Sequence, residues 1–167
     1  MLYYLYPTRN QRFLPEETVP PRIRREPPVR RDARIRKHLA PAKDYWLKAP
    51  LELAEGDICQ AGEKGWGTVA QLTKAVATLR SWEHYDHEAT RDSITGLIDE
   101  MPQRGLDIAR GLAAAERLHG NFYEVYMTPE LARYALDDLR PLLDILWGLL
   151  PEPYTGGLSF WQWAEQV

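Results

Sequence analysis

The densest group of chemically useful side chains in the second half of the chain lies between residues 113 and 130. A 3-4 helical spacing there places His119 on an apolar stripe, with Glu116 and Tyr123 within one turn of it. The stripe consists of Gly105, Ile108, Leu112, Ala115, His119, Phe122 and Tyr126. A neutral imidazole so placed can serve as a general base. The structural alternative, which we favour, is a core histidine hydrogen-bonded to Glu116 or Tyr123.

A second group of ligand-type side chains occurs in the segment W-E-H-Y-D-H-E at 82–88. It brings His84, Asp86 and His87 close together along the chain. A metal ion needs three or four converging ligands, and the sequence does not identify the others. Asp86 as the N-cap of the following helix, with two exposed histidines beside it, explains the same residues. We therefore expect no metal site and no cofactor.

The N-terminal quarter of the chain is rich in arginine, proline and tyrosine. Seven prolines within residues 1–42 disfavour helix and sheet and favour extended backbone. Guanidinium groups pair with phosphates and stack on unpaired bases, and tyrosines add stacking surfaces. We predict an extended, irregular basic arm that binds RNA; the alternatives are a solvated linker or an arm lying on an acidic protein surface. The candidate RNA-binding residues are Arg9, Arg12, Arg22, Arg24, Arg25, Arg30, Arg31, Arg34, Arg36, Lys37, Tyr3, Tyr4 and Tyr6.

Charge is distributed unevenly along the 167 residues, although the formal net charge is only −3. Residues 1–50 contain 12 Lys or Arg and 5 Asp or Glu, whereas residues 51–167 contain 9 and 19. A basic segment on an acidic body is typical of proteins with a polyanionic partner. The single cysteine excludes an internal disulfide, and no apolar run approaches the ~20 residues of a membrane span. With no signal-peptide pattern at the start, we expect a cytoplasmic protein without a membrane partner.

The remainder of the chain predicts helices. Apolar periodicity, together with glycines and prolines that interrupt it, predicts helices at about 43–55, 58–80, 88–101, 103–126 and 129–149. We expect Thr128 to be the N-cap of the last helix and Pro141 to kink or split it. Glycines 62, 65 and 67 each cost roughly 1 kcal/mol relative to alanine, so we expect them to admit a close neighbouring backbone. The predicted fold is an all-α antiparallel bundle of four to five helices over residues 43–150. The aromatic tail, 151–167, either folds back over the bundle or anchors a partner.

Two motifs of this region resemble those of a known family. The pattern A-x-x-L-H-x-N-F-Y-E-x-x-M-T-P-E within 114–130 is similar to a signature of the archaeal PaREP (type one) family. The run E-L-A-E-G-D-I-C-Q-A-G-E-K-G-W-G-T-V-A-Q-L-T-K-A-V-A at 52–77 resembles its other signature. The resemblance extends over about 43–148. It implies a helical bundle of the HEPN superfamily, whose members include RNA-cleaving toxins and nucleotide-binding partners.

The HEPN resemblance implies a catalytic arrangement that this sequence does not reproduce. Nuclease members carry an arginine a few residues before the histidine, and paired protomers build the site. Here Arg117 lies about 200° around the helix from His119, and Arg110 lies nine residues away, roughly 13 Å. One helix therefore does not supply both groups. The catalytic candidates are His119, Glu116, Tyr123 and Arg110, none of them firm.

These features favour one functional hypothesis over two others. The first is a non-catalytic protein whose basic arm, residues 1–42, contacts RNA or a ribonucleoprotein particle such as the ribosome, with the bundle as a scaffold and as a homodimer interface. The second is a metal-independent HEPN-like endoribonuclease of the toxin or defence type, centred on His119. The third is a module that binds a nucleotide or a protein.

Overall fold

The computed structural model describes residues 27–84 and 86–166, and every regular element in these ranges is helical. No helix in the same ranges is long and apolar enough to cross a bilayer. A short 3₁₀ turn, Pro102–Arg104, precedes the fourth helix. The α-helices are α1 (Pro28–Ala54), α2 (Ile58–Leu79), α3 (His87–Glu100), α4 (Gly105–Glu124), α5 (Pro129–Asp138), α6 (Arg140–Gly148), α7 (Glu152–Thr155) and α8 (Phe160–Ala164).

The first helix corrects our interpretation of residues 28–42. These residues form the N-terminal half of α1 and are not extended, so the predicted boundary between residues 42 and 43 lies inside a helix. Pro28 occupies the first turn, where no intrahelical N–H bond is lost. Pro41 and Pro50 lie inside the helix, and each removes one backbone hydrogen bond. Burial of a stripe of α1 outweighs these losses; its buried residues are Ile35, Leu39, Ala42 and Ala49.

The predicted boundaries of the later helices are mostly confirmed. Asp86 caps α3 by accepting a hydrogen bond from Ala89 N, and Thr128 caps α5 in the same way. The predicted fifth helix is split into α5 and α6 at Leu139, two residues before Pro141, as its proline indicated. The fourth helix ends earlier than predicted, at Glu124, because Val125 adopts a left-handed conformation with φ +47°.

Small residues allow the helices to approach one another closely. A Cβ built on Gly62 of α2 would lie 2.8 Å from the carbonyl oxygen of Leu118 in α4. Gly111 of α4 leaves equally little room beside Leu142 of α6. The expected close approach is thus confirmed at Gly62, where the neighbour is backbone. At Gly65 and Gly67 the expectation is wrong, because the neighbours are side chains, those of Leu136 and Tyr45 among them.

The aromatic tail folds back onto the bundle. Phe160 of α8 is fully buried and packs edge-on against Trp46 of α1 and Trp147 of α6, at ring-centroid distances of 6.0 and 5.7 Å. The indole N–H of Trp147 donates to the carbonyl of Leu158 at 2.8 Å. Of the two alternatives for the tail, the structure therefore supports packing against its own bundle.

Candidate functional site

The close contact between α2 and α4 brings a carboxylate against His119. Glu63 follows Gly62 in α2, and His119 follows Leu118 in α4. The side chains of Glu63 and His119 therefore meet beside the point where the backbones of α2 and α4 approach each other. Glu63 Oε2 lies 2.9 Å from Nδ1 of His119. The His119 side chain is 22% exposed, so it lies at the edge of the core. The partner of His119 is therefore Glu63, and the expected hydrogen bond from Glu116 or Tyr123 is wrong.

The imidazole of His119 stacks with two other rings, those of Trp66 and His87. The ring of Trp66, one turn after Glu63 on α2, lies 5.1 Å from that of His119 and 4.5 Å from that of His87 at the start of α3. The two imidazoles are 5.1 Å apart, and all three ring planes lie within 29° of one another. Trp66 is only 7% exposed and therefore belongs to the core. We call Glu63, Trp66, His87, Glu116 and His119 the imidazole cluster.

A second carboxylate holds the other imidazole. Glu116 of α4 accepts hydrogen bonds from Nε and Nη2 of Arg91, at 2.8 and 3.1 Å, and its Oε1 lies 3.3 Å from Nε2 of His87. Burial alone would raise the pKa of Glu116. The hydrogen bonds and positive charge of Arg91, assisted by His87, outweigh burial and hold that pKa below its usual range. Glu116 is therefore an ionised anchor for α3.

The hydrogen bond to Glu63 fixes the tautomer of His119. An ionised carboxylate only accepts hydrogen bonds, so in the neutral form of the imidazole Nδ1 carries the proton and Nε2 presents its lone pair. Tyr123 lies edge-on to the imidazole with its ring centroid 5.3 Å away and is 70% exposed, so it forms a rim. No described residue forms a hydrogen bond with Nε2. The cluster thus offers a carboxylate-oriented base beside a second imidazole that can carry a proton.

The three ligand-type residues of 82–88 diverge. His84 is 4% exposed; its Nδ1 donates to the Trp82 carbonyl at 2.8 Å, and its Nε2 lies 2.9 Å from a guanidinium nitrogen of Arg34. Asp86 caps α3, as predicted, and His87 points to Trp66. The expectation that both histidines are exposed is wrong, because one is buried and the other is half-buried. Within residues 27–84 and 86–166, no group of three or more His, Cys, Asp or Glu is placed to hold a metal ion.

The remaining residues of the predicted stripe do not join the cluster. Ile108 and Ala115 are fully buried, but Phe122 and Tyr126 are 39% and 51% exposed. Tyr126 leaves the stripe because α4 ends at Glu124, and Phe122 lies in the last turn of that helix. The catalytic candidate Arg110 is exposed on α4 and forms no ion pair with a described residue.

A second candidate surface lies on the N-terminal half of α1, residues 28–43. This segment, which we call the basic half of α1, contains six Lys or Arg and a single acidic residue, Asp32. Arg36 pairs with Asp32 at 3.2 Å and also stacks over the Tyr154 ring at 5.1 Å. Among the described residues, no carboxylate pairs with three other cations of the predicted arm, the exposed Arg30 and Lys37 and the half-buried Arg31.

His38 lies in the same half of α1 and is half-buried. Burial lowers the pKa of His38, and a hydrogen bond to Gln71 partly offsets that effect. Repulsion from His84, Lys74 and Arg34 lowers the pKa of His38 further. The predicted RNA-binding residues Arg9, Arg12, Arg22, Arg24, Arg25, Tyr3, Tyr4 and Tyr6 lie outside the described residues.

The sequence interpretation missed Glu63, His87 and Arg91 as members of one site. Their contacts to α4 join residues 25 to 56 positions apart, which periodicity along one helix does not reveal. A weak signal was available for Glu63: it follows a glycine predicted to admit a close neighbour, and it lies one turn before Trp66.

Comparison with known proteins identifies the family. The family model described as the archaeal PaREP1/PaREP8 family matches residues 37–143, which is more than half of the chain and includes every residue of the imidazole cluster. No curated protein matches the chain, and no solved structure matches it. The chain therefore belongs to the archaeal PaREP1/PaREP8 family.

Proposed function

We propose that the protein binds RNA, or the RNA of a ribonucleoprotein particle such as the ribosome, through the basic half of α1 and the arginine-rich segment before it. One observation carries this proposal. Arg30, Arg31 and Lys37 project from one helical segment, and no described carboxylate neutralises them. Cations that no described carboxylate neutralises are available to phosphates, and each phosphate they neutralise releases counterions.

The helical form of this segment changes how it would contact RNA. On an α-helix, Arg30 and Lys37 lie seven residues apart, about 10 Å along the axis, and nearly on the same face. Such a fixed row positions cations along a phosphate backbone without reading its bases. The five arginines of residues 1–26 extend the charge in the N-terminal direction. The rest of the bundle acts as the scaffold that holds α1.

Removal of the three cations tests this proposal. In the Arg30→Gln/Arg31→Gln/Lys37→Gln variant, we expect affinity for a fluorescently labelled single-stranded RNA to fall by at least tenfold, measured by anisotropy at low salt. The matched control is Arg104→Gln/Arg110→Gln/Arg117→Gln, which removes the same charge from the segment leading into and along α4. This control should bind RNA within about threefold of the wild type. Equal losses in both variants, or no RNA binding by the wild type, would refute the proposal.

A second function, RNA cleavage, is favoured by the imidazole cluster. His119 Nε2 would take the proton of a ribose 2′-OH, and the resulting 2′ oxygen would form a bond to phosphorus. The bond from phosphorus to the 5′ oxygen would break, and protonated His87 would supply the proton of that leaving oxygen. The products are a 2′,3′-cyclic phosphate and a free 5′-OH. The carboxylate of Glu63 would stabilise the imidazolium formed on His119.

A group from another helix adds to what α4 alone offers. The helix of His119 carries no suitable arginine, and Arg91 of α3 is paired with Glu116. His87 of α3, however, adds a second proton-transfer group beside His119. This arrangement differs from the arginine-before-histidine pattern of HEPN nucleases, although the helical bundle and the family membership fit that superfamily.

Single substitutions separate cleavage from binding. We expect His119→Ala and His87→Ala each to lower RNA cleavage at least a hundredfold while leaving RNA affinity within about threefold of the wild type. Glu63→Gln should lower cleavage less, because the amide oxygen still accepts from Nδ1. A substrate with 2′-deoxyribose at every position should remain intact. If the purified protein forms no 2′,3′-cyclic phosphate from any RNA, the cleavage proposal fails and the binding proposal is unaffected.

A further inference from the structure

A cavity of about 370 Å³ lies between the C-terminal half of α1 and the α5–α6 segment, away from the imidazole cluster. Its volume falls near the lower end of the range of small-molecule sites, about 300–1,000 Å³. Most of its wall is apolar. The apolar lining residues are Trp46, Ala49, Pro50, Leu53, Ala54 and Leu136.

The polar groups of the cavity are two guanidinium groups and one carboxylate. Arg140 is held in place by stacking over Trp46 and Trp161, at 5.5 and 4.7 Å, and by Asp137, whose Oδ1 lies 3.5 Å from Arg140 Nε. Arg133 lies 4.5 Å over the Tyr134 ring, and no described carboxylate pairs with it. The cavity therefore has a net charge of +1, and Arg133 carries the uncompensated part.

We propose that this cavity binds a small amphipathic monoanion, an aliphatic chain ending in a carboxylate. The chain lies against Ala49, Leu53 and Leu136, and the carboxylate pairs with Arg133. Arginine presents two parallel N–H groups that match the two oxygens of a carboxylate. The volume has room for about a dozen groups of the size of a water molecule or a methylene.

The same features disfavour other ligand classes. A cation would meet Arg133 and Arg140 without a free carboxylate, because Asp137 is already paired. A nucleotide carries several negative charges, whereas the cavity has one uncompensated cation and mainly aliphatic walls. A neutral alkane chain would gain no ion pair with Arg133, whereas a carboxylate would. This site is independent of the proposed RNA surface, because the basic half of α1 ends before Trp46.

Isothermal titration with decanoate, decanol and decyltrimethylammonium tests both the site and the ligand class. We expect the wild-type protein to bind decanoate at least about tenfold more tightly than decanol, and not to bind the cationic amphiphile. Ala54→Trp, which places a large ring at the cavity wall, should abolish decanoate binding. Arg133→Gln should weaken it about tenfold and remove the preference over decanol. Arg110→Gln removes the same charge from an exposed position on α4 and should leave the affinity within twofold.

Each outcome decides the proposal. Absence of decanoate binding to the wild type, equal affinity for decanol, or undiminished binding by Ala54→Trp would overturn it. Circular dichroism establishes that each variant is folded. Should Ala54→Trp fail to fold, Leu53→Trp fills the same cavity from the neighbouring position, and the same loss of binding is expected.

Discussion

Replacing Gly62 with alanine is the sharpest test of how the imidazole cluster is positioned. The new methyl group would lie 2.8 Å from the backbone carbonyl oxygen of Leu118, a distance that real Cβ atoms essentially never show. Because the obstacle is backbone, no side-chain rotation relieves the contact, and α2 must move away from α4. The next residue on each helix belongs to the Glu63–His119 pair, so that pair must separate as well.

Two opposing effects set the magnitude. Alanine in place of glycine inside a helix contributes about 1 kcal/mol of stability. Overpacking a filled interface costs about 1–3 kcal/mol, and here the displaced element is a whole helix, which favours the upper part of that range. Moving Glu63 also weakens a partly exposed ion pair, worth less than about 1 kcal/mol. We therefore expect a net loss of about 1–2 kcal/mol in the free energy of unfolding.

Urea denaturation followed by circular dichroism measures this loss. The matched control is Gly120→Ala on α4, where the nearest atom to a built Cβ is the Tyr126 hydroxyl oxygen at 3.7 Å. Free of a clash, that variant should gain about 0.5–1 kcal/mol from helix propensity. We therefore predict that Gly62→Ala lowers the free energy of unfolding and that Gly120→Ala raises it. If Gly62→Ala is as stable as Gly120→Ala, α2 and α4 do not approach as closely as described, and the explanation for the Glu63–His119 contact fails.

Three further predictions concern stability. Asp86→Ala removes the hydrogen bond to Ala89 N that caps α3 and should cost about 1 kcal/mol in urea denaturation, an effect absent if the cap is unimportant. The pKa of Glu116 is lowered in the folded state, so the stability that its carboxylate contributes is present at neutral pH and is lost as the pH falls below about 4. Glu116→Gln should therefore cost up to about 1 kcal/mol at neutral pH and make stability depend less on pH in acid. An unchanged pH dependence in acid would contradict the pairing with Arg91. Because burial lowers the pKa of His38, the unfolded chain binds a proton at this residue more readily than the folded protein does. The free energy of unfolding should therefore decrease as the pH falls below about 6.5, and His38→Gln should reduce that decrease. If the wild type and the variant show the same slope of stability against pH, the imidazole lies in solvent.

Local signals predicted much of the fold. Asp86 and Thr128 were recognisable as caps because a short oxygen-bearing side chain preceded each apolar repeat, and both make the expected hydrogen bonds. Pro141 indicated the break between α5 and α6 because it lacks a backbone donor. The need for room at Gly62 was also readable from its cost inside a helix. The caps and the break depend only on residues within one or two turns, and at Gly62 the sequence indicated the need for room but not which neighbour would use it.

Features that depend on distant residues were not predictable in the same way. The density of prolines indicated extended backbone up to residue 42, but Pro28 lies in the tolerated first turn and packing of α1 on the bundle offsets the bond lost at Pro41. His119 was rightly singled out as a polar residue on an apolar stripe. Its partner was assigned from its own helix, however, whereas Glu63 reaches it from α2. Contacts of this kind depend on how helices pack against each other, and the periodicity of a single helix carries no information about that packing.

The salt dependence of RNA binding tests most directly the central claim that the basic half of α1 contacts phosphates. Binding of a labelled single-stranded RNA to the wild type and to the Arg30→Gln/Arg31→Gln/Lys37→Gln variant would be measured over a series of salt concentrations. Each phosphate contact to a single strand contributes about −0.7 to the slope of log K against log salt. We predict that the slope of log K against log salt is shallower by about 2 in the variant. Identical slopes, or affinity that does not change with salt in the wild type, would contradict it.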